Sequence, residues 1–303
     1  MNGLREAGTA VIPKELLKAL RKIEITTNRL ATDKLSGSYT SVFKGQGLAF
    51  REVRLYQPGD DVRTIDWNVS ARMDDAYVKV FVEEREMTVM LVVDVSASSE
   101  FGTRSANKAR VAAEVGALCA FSAIKNNDRV GLILATDHIE KIVPPKKGQK
   151  HVMRVVREIL GARPEHTGTN LGLALETLYR VARRRSVAFV LSDFFATGYE
   201  RALSLASARH DVIPIMLVDP RDEEIPDVGL AEFEDFETGE TVLVDTSSAR
   251  VRAHYARYMR DLREGHVRTW KKLGLDHSIV RTDKSFVEPL RQLFARRRRR
   301  IRR

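Results

Sequence analysis

The sequence predicts an α/β fold built on a doubly wound, mostly parallel β-sheet. Apolar runs of strand length recur along the chain, segments with helical spacing of apolar residues separate them, and aspartates directly follow several of the runs. The four buried strands are predicted at residues 89–93, 129–135, 186–192 and 212–218. Unbroken apolar runs rich in β-branched residues are typical of strands that helices cover on both faces.

Two smaller regions precede this sheet. Residues 1–36 carry an apolar stripe at near-helical spacing, which predicts an amphipathic helix over residues 13–35 that packs on the body of the protein. Residues 37–87 combine glycines, short alternating segments and a turn at Pro58 and Gly59, and they predict a small β-rich region. A half-buried strand is expected at residues 77–82, because apolar and polar residues alternate there.

The densest motif of the small region is FREVRLYQPGDDVRTIDWNVSAR, residues 50–72. Its arginines and aspartates are close enough in sequence to form ion pairs with one another, and arginine suits planar, bidentate pairing with carboxylates. A positive surface that receives a carboxylate from a partner is the alternative. Trp67 is predicted to anchor the core of this region.

The main domain is predicted over residues 88–295. Helical segments are expected at 106–125, 150–160, 171–184, 199–209, 248–273 and 285–294. A short edge strand is predicted at 139–143, where Pro144 ends it, and a hairpin is predicted as an insertion near 230–245. A last strand is expected at 276–280.

The basic charge of the chain is concentrated at its C-terminus. The 303 residues carry a net charge of +10, and seven arginines without an acidic neighbour lie in residues 296–303. Removing those seven charges from the total leaves +3 on the rest of the chain, so a specific nucleic-acid-binding face is not expected. Residues 296–303 are predicted to form a disordered tail, because like charges repel one another.

Composition excludes further classes of protein. Apolar residues make up 43% and charged residues 30% of the chain, as in ordinary soluble domains. The apolar runs are shorter than a membrane span, and the N-terminus has no apolar signal core, so we expect a cytoplasmic protein that is at most peripheral to the inner membrane. The single cysteine, Cys119, excludes an intramolecular disulfide and is expected in the core.

A candidate cation site begins where the first buried strand ends. Asp94, Ser96 and Ser98 place a carboxylate and two hydroxyls at every second position. Asp193 ends the third strand and Thr169 lies in the loop before a helix, so both are expected at the same edge of the sheet. Oxygen donors suit Mg²⁺, Mn²⁺ or Ca²⁺, and some of these five would act through water.

Two alternatives to this site remain open. Asp94 and Asp193 could instead cap helix starts and accept backbone amides, since Asp and Ser are preferred at such positions. Thr167 competes with Thr169, which we prefer because it directly follows a glycine and precedes Asn170.

The order of these motifs resembles that of a known family. The Asp-x-Ser-x-Ser at Asp94, the Gly-Thr-Asn at Thr169 and the Leu-Ser-Asp at Asp193 are similar to the metal-ion-dependent adhesion site of von Willebrand factor A domains. The upstream PGDDVRTIDW and KVFVEERE resemble the signature of bacterial domain-of-unknown-function family fifty-eight, von Willebrand factor A-like proteins often encoded beside MoxR-type AAA+ ATPases. The resemblance covers about residues 45–283 of the chain.

The resemblance implies a von Willebrand factor A-like, Rossmann-like fold. It also implies a metal-dependent protein-binding module that works with a MoxR-type ATPase or its client in assembly or chaperone-like work. The partner would supply a carboxylate to the ion, and no catalytic residue is assigned.

Two other functions are considered. One is Mg²⁺-dependent phosphoryl transfer or hydrolysis at Asp94 and Asp193. No Walker A run, nucleophile elbow or Cys/His nucleophile pair is present, and the seven histidines show no metal-ligand spacing, so we do not expect an enzyme. The other is weak docking of the arginine tail on anionic membrane or RNA.

Overall fold

The computed structural model describes residues 49–73, 75–82, 86–100, 107–234 and 239–301. The chain divides into two compact units, one formed by Phe43–Met87 and the other containing Thr88–Arg303. The predicted helix of residues 1–36 lies outside the described residues.

The smaller unit is a two-stranded antiparallel sheet with two short helical segments between its strands. Strand β1 (Ala49–Leu55) pairs with β2 (Tyr77–Val82), so the strand predicted at residues 77–82 is confirmed. A 3-10 turn at Val62–Thr64 and helix α1 (Trp67–Met73) connect the two strands.

Ion pairs form within this unit, as its mixed charges predict. Arg54 donates hydrogen bonds of 2.8 and 2.7 Å to the two carboxylate oxygens of Asp60, and these bonds hold the pKa of Asp60 below its usual range. Asp66 pairs with Lys79 at 3.3 Å. The prediction that Trp67 anchors a core is wrong, because this residue is 68% exposed at the start of a helix that buries no residue.

The larger unit is organised around one six-stranded sheet. Its strands are β3 (Thr88–Asp94), β4 (Arg129–Ala135), β5 (Ile139–Lys146), β6 (Val187–Ser192), β7 (Asp211–Val218) and β10 (Ser278–Arg281). Their spatial order is β10-β7-β6-β3-β4-β5, and all neighbours are parallel except β4 and β5. The six strands thus follow the order 3-2-1-4-5-6 of doubly wound folds. The predicted α/β fold with a doubly wound, mostly parallel sheet is confirmed.

Strand β5 lies at the edge of the sheet, as its charged flanks predict. It does not end at Pro144, however, and continues to Lys146. Proline is tolerated there because an edge strand leaves one side of its backbone without a ladder partner.

Helices cover both faces of the sheet. They are α2 (Lys108–Lys125), α3 (Gln149–Leu160), α4 (Leu171–Val181), α5 (Glu200–Arg209), α6 (Pro220–Glu223), α7 (Ala249–Lys272) and α8 (Val287–Ile301). Helix α2 packs on β3 beside α3, since a Cβ on Gly116 would lie 3.3 Å from the side chains of both Leu91 and Ile159. On the opposite face, α4, α5 and Trp270 of α7 bury a second apolar layer against Met90 and Val92.

Cys119 lies in the core as predicted, and burial raises the pKa of its thiol to about 12. The predicted hairpin is also present, as strands β8 (Leu230–Glu234) and β9 (Thr241–Asp245), which pair antiparallel. No helix in the described parts of the chain is long and apolar enough to cross a membrane.

The prediction of a disordered basic tail from residue 296 is wrong over the described residues, because helix α8 continues to Ile301. Arg297 is 8% exposed and pairs with Asp211 and with Asp276, the latter at 3.1 Å. Arg300 donates to the carbonyl oxygen of Gly274 at 2.9 Å. Acidic groups and free carbonyls of the body thus offset the repulsion between neighbouring arginines.

This packing predicts unequal effects of two neighbouring substitutions. Arg297→Ala should lower the free energy of unfolding by about 3 kcal/mol, because two carboxylates lose a buried partner. Arg298→Ala is the matched control, since Arg298 is exposed, and should change it by less than about 0.5 kcal/mol. Urea unfolding of both variants checks this, and equal losses would show that α8 does not dock through Arg297.

Candidate metal centre

The candidate centre lies where the direction of chain winding reverses. From β3 the chain passes to β4 on one side and later returns to β6 on the other, so β3 lies between β4 and β6. Strands β3 and β6 are parallel and in register, with Val93 opposite Leu191. Asp94, the last residue of β3, and Asp193, directly after β6, therefore lie at the same edge of the sheet, the usual position of ligand sites in open α/β sheets.

The first loop, which begins at the end of β3 and carries Asp94, Ser96 and Ser98, folds its polar groups toward one another. Asp94 is 6% exposed, and its Oδ1 accepts the backbone N–H of Ser96 at 3.0 Å. The hydroxyl oxygens of Ser96 and Ser98 lie 3.1 Å apart. A 3-10 turn at Ala97–Glu100 shapes the loop. Asp94 thus makes the capping bond that the alternative interpretation predicts, but its second oxygen bonds elsewhere.

Ser192 joins the first loop to the third loop, which follows β6 and begins at Asp193. Its hydroxyl donates a 2.6 Å hydrogen bond to Asp94 Oδ2 and accepts the backbone N–H of Phe194 at 2.9 Å. Phe194 has a φ of 60°, which is unusual for a residue with a side chain and costs about 1–3 kcal/mol. Its buried ring packs 4.7 Å from that of Trp270, and this burial offsets the strain. The strained turn fixes Asp193, whose Oδ1 accepts the N–H of Phe195 at 3.1 Å.

The second loop, residues 161–170 between helices α3 and α4, is joined to the first loop by a backbone hydrogen bond. The N–H of Ala97 donates to the carbonyl oxygen of Thr167 at 3.0 Å, and the N–H of Asn170 donates to that of Thr136 at the end of β4. The hydroxyl oxygen of Thr169, between these anchors, is buried and has no hydrogen-bond partner among the described residues. Thr167 itself is exposed. The buried, unpartnered oxygen favours Thr169 over Thr167 as the donor of this loop.

A buried lysine faces Asp193. Lys108, at the start of α2, is 2% exposed, and its Nζ lies 2.9 Å from Asp193 Oδ2 and 3.0 Å from Asp222 Oδ2. Burial alone would lower the pKa of Lys108, but the charges of Asp193 and Asp222 outweigh it and keep this pKa above its usual value. Lys108 is therefore a permanent cation on one side of the centre.

Asp94 has no such cation. It forms no ion pair within the described part of the chain, and its donors there are the uncharged groups of Ser96 and Ser192. Burial, and next the charge of Asp193, raise the pKa of Asp94 to about 6. Near neutral pH the centre thus holds an ionised Asp94 close to Asp193. Its positive charge is that of Lys108, which pairs with Asp193 and not with Asp94.

These residues fit a hard divalent cation. The five candidate ligands of the three loops are all oxygen donors, and one of them, the hydroxyl of Thr169, is buried without a partner among the described residues. Such groups suit Mg²⁺, Mn²⁺ or Ca²⁺ better than zinc or copper. Asp193 differs from the others because both of its oxygens already accept bonds, from Lys108 and from Phe195. Ligation by Asp94, Ser96, Ser98, Thr169 and Asp193 remains a prediction.

Comparison with known proteins identifies the family. Residues 52–265 match the family model described as "Protein of unknown function DUF58". The chain is also 34% identical to the uncharacterized protein Rv1480 of Mycobacterium tuberculosis over 288 residues, which are 94% of this chain and 90% of that protein. The chain belongs to the DUF58 family.

Two solved structures are similar to this DUF58 chain. One is a conserved hypothetical protein, BatB, from Bacteroides thetaiotaomicron, with 17% sequence identity, a TM-score of 0.47, and coverage of 70% of this chain and 99% of that chain. The other is a von Willebrand factor type A structure from Catenulispora acidiphila, with 13% identity, a TM-score of 0.38, and coverage of 73% and 44%. The assignment of the fold rests on the strand order described above.

Sequence reasoning missed two residues of the centre in this DUF58 protein, Ser192 and Lys108. A signal for Lys108 was present, because Lys108, Val111, Ala112 and Val115 follow helical spacing and are all buried. A lysine in the first turn also opposes the helix dipole, so a nearby carboxylate was to be expected. Ser192 had a weaker signal, a hydroxyl in the last position of a buried strand.

The raised pKa of Asp94 predicts that Asp94→Asn stabilises the metal-free protein near neutral pH. The pKa of Asp94 is about 6 in the folded protein and 3.8 for an ordinary aspartate. Its contribution to folding stability is therefore fully present below pH 3.8 and is lost as the pH rises through about 6. The free energy of unfolding of Asp94→Asn should equal that of wild type near pH 4 and exceed it by about 1–3 kcal/mol near pH 7. Urea unfolding in EDTA across this range measures it.

The control for this experiment is Asp245→Asn. Hydrogen bonds from Ser247 lower the pKa of Asp245, so its replacement should give no gain at neutral pH. A flat difference between Asp94→Asn and wild type across the range would contradict the predicted repulsion.

Proposed function

We propose that this DUF58 protein is a metal-dependent protein-binding module whose ion is held at the reversal point of the sheet. The von Willebrand factor A-like fold suggests a protein-interaction module. The observation that carries the metal dependence is the buried Asp94 carboxylate, whose hydrogen-bond donors among the described residues are all uncharged. The buried, unpartnered hydroxyl of Thr169 supports it. Buried carboxylates are normally paired with a cation or bound to a metal.

Asp94, Ser96, Ser98 and Thr169 would hold the ion. Asp193 would act on it through water, because Lys108 and the N–H of Phe195 already occupy its oxygens. When bound, Mg²⁺ supplies a site of positive charge that attracts a further oxygen ligand. Ser192 is a positioning residue, since its 2.6 Å hydrogen bond fixes the Asp94 carboxylate.

Lys108 sets the charge of the centre. It neutralises one of the three buried carboxylates of Asp94, Asp193 and Asp222, and leaves a net charge of −2 when all three are ionised. A divalent cation brings this to about zero, and its open coordination position accepts an oxygen ligand from outside. We propose that this ligand is an acidic side chain of a partner protein. The resemblance to family fifty-eight implies a MoxR-type AAA+ ATPase or its client as that partner.

Mg²⁺ binding is the first test, and two threonines provide a matched pair. In calorimetric titrations of EDTA-treated protein, we expect one Mg²⁺ per chain for wild type and none for Asp94→Ala. Thr169→Val should weaken binding, because it removes the unpartnered hydroxyl while keeping the shape of the side chain. Thr167→Val should not, because that hydroxyl is exposed. Equal effects of the two substitutions would contradict the assignment of the second loop.

Capture of a partner is the second test. Wild-type protein should retain a purified MoxR-type ATPase, or a client of it, in Mg²⁺ but not in EDTA. Asp94→Ala should not retain the ATPase or the client in Mg²⁺ or in EDTA. Asp245→Ala is the control, because that exposed carboxylate lies on the hairpin. Binding that neither EDTA nor Asp94→Ala changes would rule out a metal-dependent contact. Mg²⁺-dependent phosphoester hydrolysis that Asp94→Ala abolishes would instead make the protein an enzyme.

A further inference from the structure

A second cluster of potential metal ligands lies near the candidate centre and has different chemistry. It consists of Asp137 and His138, in the turn between β4 and β5, and His166, in the second loop. One ligand atom from each of the three side chains lies within 4.8 Å of the others. The two histidines are 28 positions apart and show no metal-ligand spacing in the sequence. The fold nevertheless brings their rings to a centroid distance of 3.7 Å with an interplanar angle of 16°.

The backbone around the cluster is fixed by one carboxylate, that of Glu140 on β5. It accepts the N–H groups of Glu165 and His166 at 3.2 and 3.3 Å and the hydroxyl of Thr136 at 2.8 Å. Glu140 therefore joins the β4–β5 turn to the second loop. The loop also passes close to Asp137, because a Cβ on Gly168 would lie 3.2 Å from its Cγ.

The side chains are arranged to accept an ion from solvent. Asp137 Oδ1 is buried and lies 3.1 Å from His138 Nδ1, at ion-pair distance but without the alignment of a hydrogen bond. His138 has 59% of its side chain exposed, so its ring can rotate out of the stack and direct a nitrogen toward an ion shared with His166. Two imidazoles and a carboxylate are a ligand set that zinc accepts, with a fourth position left open.

We propose that Asp137, His138 and His166 bind a zinc-class divalent cation, separately from the oxygen-lined centre. Imidazole ligands favour Zn²⁺, Ni²⁺ or Cu²⁺ over Mg²⁺, whereas the hydroxyls and carboxylates around Asp94 favour the reverse. The two sites therefore select different ions. Such an ion would link the β4–β5 turn to the loop that carries Thr169, and its open position accepts water or a ligand from a partner.

The test is a Zn²⁺ titration of the untagged, EDTA-treated full chain in competition with a chromophoric chelator. We expect one Zn²⁺ per chain at this site, and His166→Ala should weaken its binding by roughly tenfold or more. Bound Co²⁺ should give visible absorption bands that His138→Ala and His166→Ala both abolish. His254→Ala is the matched control, because His254 is exposed and lies on α7 outside the cluster.

The two metal sites are distinguished by measuring how each site's variant binds the ion of the other site. Asp94→Ala should leave the Zn²⁺ affinity unchanged, and His166→Ala should leave the Mg²⁺ affinity unchanged. The proposal is overturned if the double variant His138→Ala/His166→Ala binds Zn²⁺ as tightly as wild type, or if His254→Ala loses as much affinity as His166→Ala. Loss of Zn²⁺ binding in Asp94→Ala alone would assign the ion to the oxygen-lined centre instead.

Discussion

The repulsion between two buried carboxylates, Asp94 and Asp193, is the constraint around which the larger unit is arranged. Both lie at the carboxyl ends of parallel, adjacent strands, so the fold itself brings them together. Lys108 offsets the charge of Asp193 but is shared with Asp222, and Asp94 is left with uncharged hydrogen-bond donors among the described residues. A buried site with this charge balance is poorly satisfied without a cation, which is why we interpret it as functional.

The loops around these carboxylates are held by elements that have no direct part in binding. Ser192 joins the first and third loops, and the strained turn at Phe194 is stabilised by contact with Trp270 on α7. Helix α2 supplies Lys108 from one face of the sheet, and α6 supplies Asp222 after β7. The geometry of the centre therefore depends on packing that extends over both layers of helices, and substitutions far from Asp94 are expected to affect it.

Much of the fold could be predicted from the sequence, because its signals are local. Apolar runs mark the strands β3, β4, β6 and β7 to within one or two residues. The aspartates at the ends of β3 and β6 mark the edge of the sheet at which they meet. The reversal of strand order follows from the general rule for doubly wound sheets. The candidate oxygen donors were therefore accessible to sequence reasoning.

The features that the sequence did not reveal depend on contacts between distant residues. Lys108 and Asp193 are 85 positions apart, and Arg297 finds Asp211 across 86 positions, so neither pair has a local pattern. Arg297 is the reason that residues expected to repel one another continue a helix instead. His138 and His166 are likewise 28 positions apart, and they meet where Glu140 joins their loops.

Anomalous diffraction from crystals soaked in Mn²⁺ tests the central interpretation most directly, because Mn²⁺ prefers the same oxygen ligands as Mg²⁺ and can be located by its own scattering. We predict one strong peak bounded by the side-chain oxygens of Asp94, Ser96, Ser98 and Thr169, and its disappearance in crystals of Asp94→Ala. Mn²⁺ density that is absent from this position in the wild-type protein, while the loops keep the conformation described above, would contradict a metal centre at the reversal point.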